Sequence, residues 1–263
     1  MQREKNNNFI LDFTGVYDDE FAKKKTSLTL IDCTDITGCD MYVSDEAEKQ
    51  IGERVDSVGI HGIHFLDSGN YHYVTKIMTD RIKEPFSLVV FDHHTDMQKP
   101  MIEGLTSCGD WAGKVLATNQ WLQQLVLIGP QESDIEQIYR ENDGLMNRKE
   151  IAEKLLTFSA EEIRSGEDKN KISKIKKNLP VYISLDKDIL DKQYTETNWS
   201  QGNMSLPMLE RLLSHFLEHG NVLGIDICGE CQQGIPLPEY LQAEELNEET
   251  NQKLFEFLSH YIS

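Results

Sequence analysis

Short apolar runs rich in β-branched residues punctuate the chain: "SLTLIDC" (27–33), "GIHGIHFLD" (59–67), "SLVVFD" (87–92), "LVLIGP" (125–130), "VYISLD" (181–186) and "VLGIDIC" (222–228). Most are apolar at consecutive rather than alternate positions, the pattern of strands covered on both faces, as in a parallel sheet. Segments of helical periodicity lie between them. "SDEAEKQIGERV" carries Asp45 and, three residues on, Glu48, the spacing of a capping box; Ser159 and Glu162 in "SAEEIRSG" repeat it. "LPMLERLLSHFLEHG" has Pro207 near its start and Gly220 past its end, the asymmetry expected of a helix. "NEETNQKLFEFLSHYIS" places Leu254, Phe257, Leu258 and Tyr261 on one face. Strand–helix alternation predicts an α/β/α sandwich, in which ligands bind beyond the carboxyl ends of the strands. The polar stretch 134–178 reads as a mostly helical covering layer, so a single domain over residues 1–263 is expected.

Composition narrows the function classes. Apolar residues make up 39% of the 263, enough for the core of one α/β domain. No apolar run is long enough to span a bilayer, and "MQREKNNNF" lacks an apolar signal segment, so the expectation is a cytoplasmic protein without a membrane partner. A net charge of −19 argues against nucleic acid, because an acidic surface repels phosphate. The five cysteines are odd in number, and "CGEC" (228–231) has no second pair to complete a zinc site. Buried structural thiols are expected.

The chemistry concentrates at two strand ends. "LVVFDHHTD" places Asp92, His94 and Asp96 at alternate positions, and "VYISLDKDILD" does the same with Asp186 and Asp188, followed by Asp191. In extended chain such residues share a side, so each strand end can aim its acids at one point. Converging carboxylates repel one another and take up protons unless cations compensate them. Two divalent ions would balance Asp92, Asp96, Asp186 and Asp188. Oxygen ligands with a little imidazole suit manganese better than a thiolate-type zinc site. Such a pair, about 3.5–4 Å apart, can deprotonate water at neutral pH, which points to a metal-assisted hydrolase.

"DHHTD" (92–96) resembles the DxHxD signature of the ureohydrolases, the family of arginase, agmatinase and formimidoylglutamase. "SLDKDILD" (184–191) is similar to their SxDxDxxD signature, and "SGNYHYVT" (68–75) to a degraded GGDHS segment. The resemblance implies a three-layer α/β/α sandwich around a mainly parallel sheet of about eight strands. It implies two divalent ions, of which manganese is the expected kind. His72 would bind the first metal, and Asp92 and Asp186 would bridge both. Asp96 would complete the first site and hold the bridging hydroxide as the catalytic acid. His94 and Asp188 would hold the second metal. The expected reaction is hydrolysis of a non-peptide C–N bond in a small guanidino, amidino or formimino compound. Relatives that form trimers or hexamers imply a homo-oligomer.

The departures fall on the substrate side. Tyr71 stands where the family has an acid before its histidine. Ala112, in "SCGDWAG" (107–113), falls where arginase-like members carry a proton-relay histidine; Cys108 and Asp110 read as a packed thiol and a turn-forming aspartate. The family's substrate-binding glutamate follows a D-I-x-E strand end, whereas "DICGE" (226–230) is one residue longer. Glu230 takes that catalytic and substrate-binding role if Gly229 allows a bulge; the other reading is an exposed loop glutamate. Trp199 is the candidate wall of the substrate pocket or else a ring packed beneath its loop. His93 should point away from the ligands as a packed or hydrogen-bonded ring, and His61 and His64 read as structural. His215, His219 and His260 belong to helix surfaces. Two other readings stay open: a single-zinc deacetylase of the same fold, and a metal-holding protein without catalysis.

Overall fold

The computed structural model describes residues 7–17, 21–22, 28–140, 151, 153–167, 169–218 and 220–262. His219 and the ends of the first and last predicted segments, Ser27 and Ser263, lie outside them. Strands β1 (Phe9–Asp12), β2 (Thr29–Asp32), β4 (Ile63–Phe65), β5 (Phe86–Phe91), β7 (Leu122–Ile128), β8 (Leu155–Phe158), β9 (Val181–Asp186) and β10 (Val222–Cys228) form one sheet. Its order is β2-β1-β4-β10-β9-β5-β7-β8, and every neighbouring pair is parallel. The two-residue strands β3 (Tyr42–Val43) and β6 (Thr106–Ser107) pair antiparallel beside it.

Consecutive apolar residues in a strand feed opposite layers, as the sequence pattern predicts. Leu88 and Val90 of β5 join one core cluster while Val89 and Phe91 join the other. The first cluster is closed by α1 (Asp45–Val58), α2 (Val74–Thr79) and α3 (Trp111–Thr118). The second is closed by α7 (Leu206–Leu217) and α8 (Leu237–Ser259). Three layers result: helices, sheet, helices. Helices α4 (Glu132–Arg140), α5 (Ala160–Ser165) and α6 (Lys169–Ile172) belong to the polar stretch.

Local signals account for several boundaries. Ser159 and Glu162 form a complete capping box at α5. At α1 the cap is Ser44 rather than Asp45: its hydroxyl accepts the Ala47 N–H, and Asp45 becomes the first helical residue. Pro207 sits in the first turn of α7 behind the Ser205 cap. The last helix starts at Leu237, ten residues before the predicted segment, so its first turns carry little of the apolar face. The polar stretch is not purely helical, since it contains the edge strand β8. The run 27–33 is an edge strand with half-exposed residues rather than a doubly covered one.

Candidate metal centre

The carboxyl edge of the sheet brings together the ends of β5 and β9 and the turn that follows β4. Adjacency is fixed by the strand order, because β5 and β9 pair directly with Phe91 opposite Leu185. The acids converge by turning, not by alternation of an extended chain. Asp92 accepts the His94 N–H at 2.6 Å, and Asp186 accepts the Asp188 N–H at 2.9 Å, so each strand bends sharply on its own terminal carboxylate. Asp96 adopts the left-handed conformation, φ 48°, and its carbonyl receives the N–H groups of Ala112 and Gly113 at the start of α3. His72 follows the helical turn Gly69–Tyr71.

Two side-chain groups result. His72 Nδ1 lies 3.2 Å from Asp92 Oδ2, 3.0 Å from Asp96 Oδ2 and 3.7 Å from Asp186 Oδ2. His94 Nδ1 lies 2.8 Å from Asp188 Oδ2 and 3.5 Å from Asp92 Oδ1. Asp92 thus joins the two groups, one oxygen toward each. The donor atoms of His72, Asp92 and Asp96 all lie within 4.8 Å of one another, as do those of Asp92, His94 and Asp188. All six predicted ligands meet at one place, and all but His94 are buried. A donor set of carboxylate oxygens and imidazole nitrogens fits divalent cations of the manganese class. A cleft of about 280 Å³ opens above it, lined also by Met41, Tyr42, Gln98, Lys99, Met101, Cys108 and Trp199.

Protons balance this charge when no metal is bound. Burial and mutual repulsion raise the Asp186 and Asp188 carboxyls above the usual range. Burial opposes a charged His72, but the Asp92 and Asp96 carboxylates beside it outweigh that and hold the imidazole well above its ordinary value. Burial likewise opposes a charged His94, yet Asp188 and Asp92 push it up to about 12. Metal binding must displace these protons, so affinity is expected to rise with pH. Isothermal titration calorimetry in buffers of different ionisation enthalpy should read net proton release. The metal-free fold should show the opposite trend. Its raised groups bind more protons folded than unfolded, so stability falls as pH increases from the unfolded carboxyl range upward.

Behind His72 lies a fully buried polar chain. Its Nε2 is 2.9 Å from Ser184 Oγ, which donates to Asp226 Oδ1 at 2.6 Å; Thr75 Oγ1 donates to the same oxygen at 3.0 Å. This chain fixes the ring so that Nδ1 faces the acids. Ser184→Ala is expected to weaken metal binding by about 10–100-fold, measured by competition with a chelating dye.

The remaining predicted residues divide. Trp199 stands in the cleft wall, its ring 6.0 Å from that of His94 and its Nε1 donating to Asn70 Oδ1 at 3.0 Å. Glu230 does not reach the cleft. Strand β10 shows no bulge at its carboxyl end, its one irregularity lying between Val222 and Gly224. Gly229 turns away at φ 98°, and Glu230 is buried in an ion pair with Lys187 at 2.5 Å. Ala112 is buried in the core, and its N–H donates to the Asp96 carbonyl. Trp111 also faces Asp96: its Nε1 donates to Oδ2 at 2.5 Å, the oxygen that His72 Nδ1 approaches. Asp110 forms the expected turn by accepting the Ser107 N–H. His93 donates its N–H to Asp188 Oδ1 and its ring faces a neighbouring cavity. His64 is a core residue stacked on Phe9, and burial lowers it to about 4. Cys228 packs in one core cluster and Cys231 in the other, and neither is in a disulfide.

Known proteins resemble this chain at two depths, sequence and fold. A sequence model of the Arginase family matches residues 10–230, a stretch containing all six clustered candidate ligands. An uncharacterized protein of Thermotoga maritima is 32% identical over 254 residues, covering 96% of this chain and 91% of its own. Among solved structures, formimidoylglutamase from Bacillus subtilis superposes with a TM-score of 0.59 at 15% identity, covering 92% of this chain and 77% of that one. Agmatine ureohydrolase of Thermoplasma volcanium gives 0.60 at 15% identity over 89% and 73%. Trypanosoma cruzi formiminoglutamase with Mn2+ gives 0.60 at 14% identity over 92% and 79%. The structural likeness establishes the fold, the family match spans most of the sequence, and the chain therefore belongs to the arginase family.

Proposed function

We propose that this protein is a dinuclear-metal hydrolase that cleaves a non-peptide C–N bond in a small guanidino, amidino or formimino compound. The observation that carries the reading is the joined pair of ligand groups, with Asp92 turning one oxygen toward His72 and the other toward His94. His72, Asp92, Asp96, Asp186, His94 and Asp188 would hold two ions, expected to be manganese, which when bound would supply an activated water and stabilise charge developing on the substrate. Asp96, fixed by the Trp111 indole N–H, is placed to pass a proton to the departing amine. Trp199, Met41 and Met101 wall the entrance and present apolar surface to the substrate body. With Glu230 engaged elsewhere, the cleft lacks that recognition group for a guanidinium. A cytoplasmic homo-oligomer is the setting proposed for this activity.

The test is to load the full-length protein with manganese, count the metal by elemental analysis, and assay a panel of guanidino, amidino and formimino compounds for release of urea, ammonia or formamide. Two ions per chain with turnover of one class supports the reading. One zinc per chain with amide cleavage would favour the deacetylase chemistry. Full metal content with every compound intact would favour a metal-holding protein without turnover. That second reading draws support from the burial of Ala112 and the withdrawal of Glu230 from the cleft.

A further inference from the structure

We propose that the thiol of Cys228 is a ligand of the His72 metal position, making that position a mixed imidazole–carboxylate–thiolate site. The inference rests on the reading of the cleft as a metal centre and goes beyond it in assigning a sulfur donor and a different metal preference.

Placement of the sulfur follows from the strand. Along β10, Ile225 and Ile227 point into one core cluster, and Cys228 into the other, on the face where Asp226 joins the chain behind His72. Cys228 is paired opposite Asp186 in the register, so its side chain reaches the end of β9 where that acid turns. Its Sγ lies 3.2 Å from Asp186 Oδ2, the same oxygen that is 3.7 Å from His72 Nδ1. The donor atoms of His72, Asp186 and Cys228 all lie within 4.8 Å of one another, and all three residues are buried. This group shares His72 with the carboxylate group above it. An ion held at His72 would have carboxylate oxygens and the Cys228 sulfur among the donors within reach.

Chemistry then separates the two positions. The His94 group offers only imidazole and carboxylate, a set suited to manganese. A thiolate adds a soft donor, which favours zinc, cobalt or ferrous iron at the His72 position. Without metal, the thiol keeps its proton and donates to Asp186. On coordination the S–H bond breaks, the electron pair stays on sulfur to form the bond to the ion, and the proton leaves to solvent. Cys108 provides an internal control. It is also buried and lines the cleft, but it is absent from the clusters of metal-sized spacing among the described residues.

The experiment uses the full chain stripped of metal and reloaded with cobalt(II), with bound metal counted by elemental analysis. Wild-type protein is expected to show thiolate-to-cobalt charge-transfer absorption in the near ultraviolet. X-ray absorption of the same sample should show a sulfur scatterer at about 2.3 Å, the usual length of a thiolate bond to such ions, at half of one per cobalt when both positions are filled. Cys228→Ser should lose the absorption and Cys108→Ser should keep it. Cobalt bound by the wild type with only nitrogen and oxygen scatterers overturns the thiolate assignment and leaves the metal centre standing. Failure to bind any ion overturns the metal centre itself. Should Cys228→Ser fail to fold, X-ray absorption on the wild type decides alone.

Discussion

Lys187→Met is expected to lower the stability of the protein by about 3–5 kcal/mol, read from urea unfolding as a shifted midpoint with an unchanged slope. Lys187 has no solvent exposure. Its ammonium is 2.5 Å from Glu230 Oε1 and donates to Asn251 Oδ1 at 2.7 Å. Glu230 in turn accepts from Asn247 Nδ2 at 3.1 Å and from Asn251 Nδ2 at 2.8 Å. The two ionised groups and two amides satisfy one another away from water. Removing only the ammonium leaves a carboxylate buried with no opposing charge, and that uncompensated charge dominates the cost. The double variant Lys187→Met/Glu230→Gln should therefore recover much of the loss. A single variant that unfolds within about 1 kcal/mol of wild type, the range of exposed pairs, would show that water reaches the pair.

Asp96→Asn is expected to reduce turnover of the cognate substrate by on the order of 10²–10⁴-fold while leaving the fold intact, the usual range for losing a positioned proton donor. The substitution separates chemistry from architecture. Asp96 holds φ 48°, a conformation that asparagine tolerates as well as aspartate. An amide oxygen can still accept the Trp111 N–H, and the backbone carbonyl that anchors α3 is untouched. Asparagine offers no second carboxylate oxygen to bind the ion or relay a proton. Steady-state kinetics should show the fall in kcat, elemental analysis a weakened His72 position, and urea unfolding little change. Unaltered turnover would remove Asp96 from the reaction.

The strand ends were readable because they combine two strong local signals, a doubly apolar run and an immediate cluster of ionisable residues. Strands β9 and β10 match the predicted runs residue for residue, and β5 and β7 are displaced by only a few. Strands β1 and β8 escaped because "FILD" and "LLTF" are four residues long and sit in polar surroundings, so only pairing with a neighbour makes them strands. The clustering of the candidate ligands was legible as residue types at a spacing, although the extended-chain argument for their convergence gave way to turns capped by Asp92 and Asp186. Glu230 was misplaced because its side-chain direction depends on a bulge that spacing alone cannot reveal. Its partner Lys187 lies between two ligands and looks like a solvated lysine; nothing near it in sequence signals Asn247 and Asn251 on the last helix. Trp111 and Ser184 were likewise hidden, since each meets the site through contacts distant in sequence.

The position of β10 bears on how the molecule comes together during synthesis. The strand lies at the centre of the sheet, between β4 and β9, yet it is the last strand in chain order. A growing polypeptide has β2, β1 and β4 on one side and β9, β5, β7 and β8 on the other before the segment that joins them has left the ribosome. Both half-sheets then present an open inner edge, a surface prone to pairing with foreign strands. Closure requires contacts between distant parts of the chain, which makes it slow. The interval between translation of β9 and insertion of β10 is where this topology leaves the growing chain most open to mispairing.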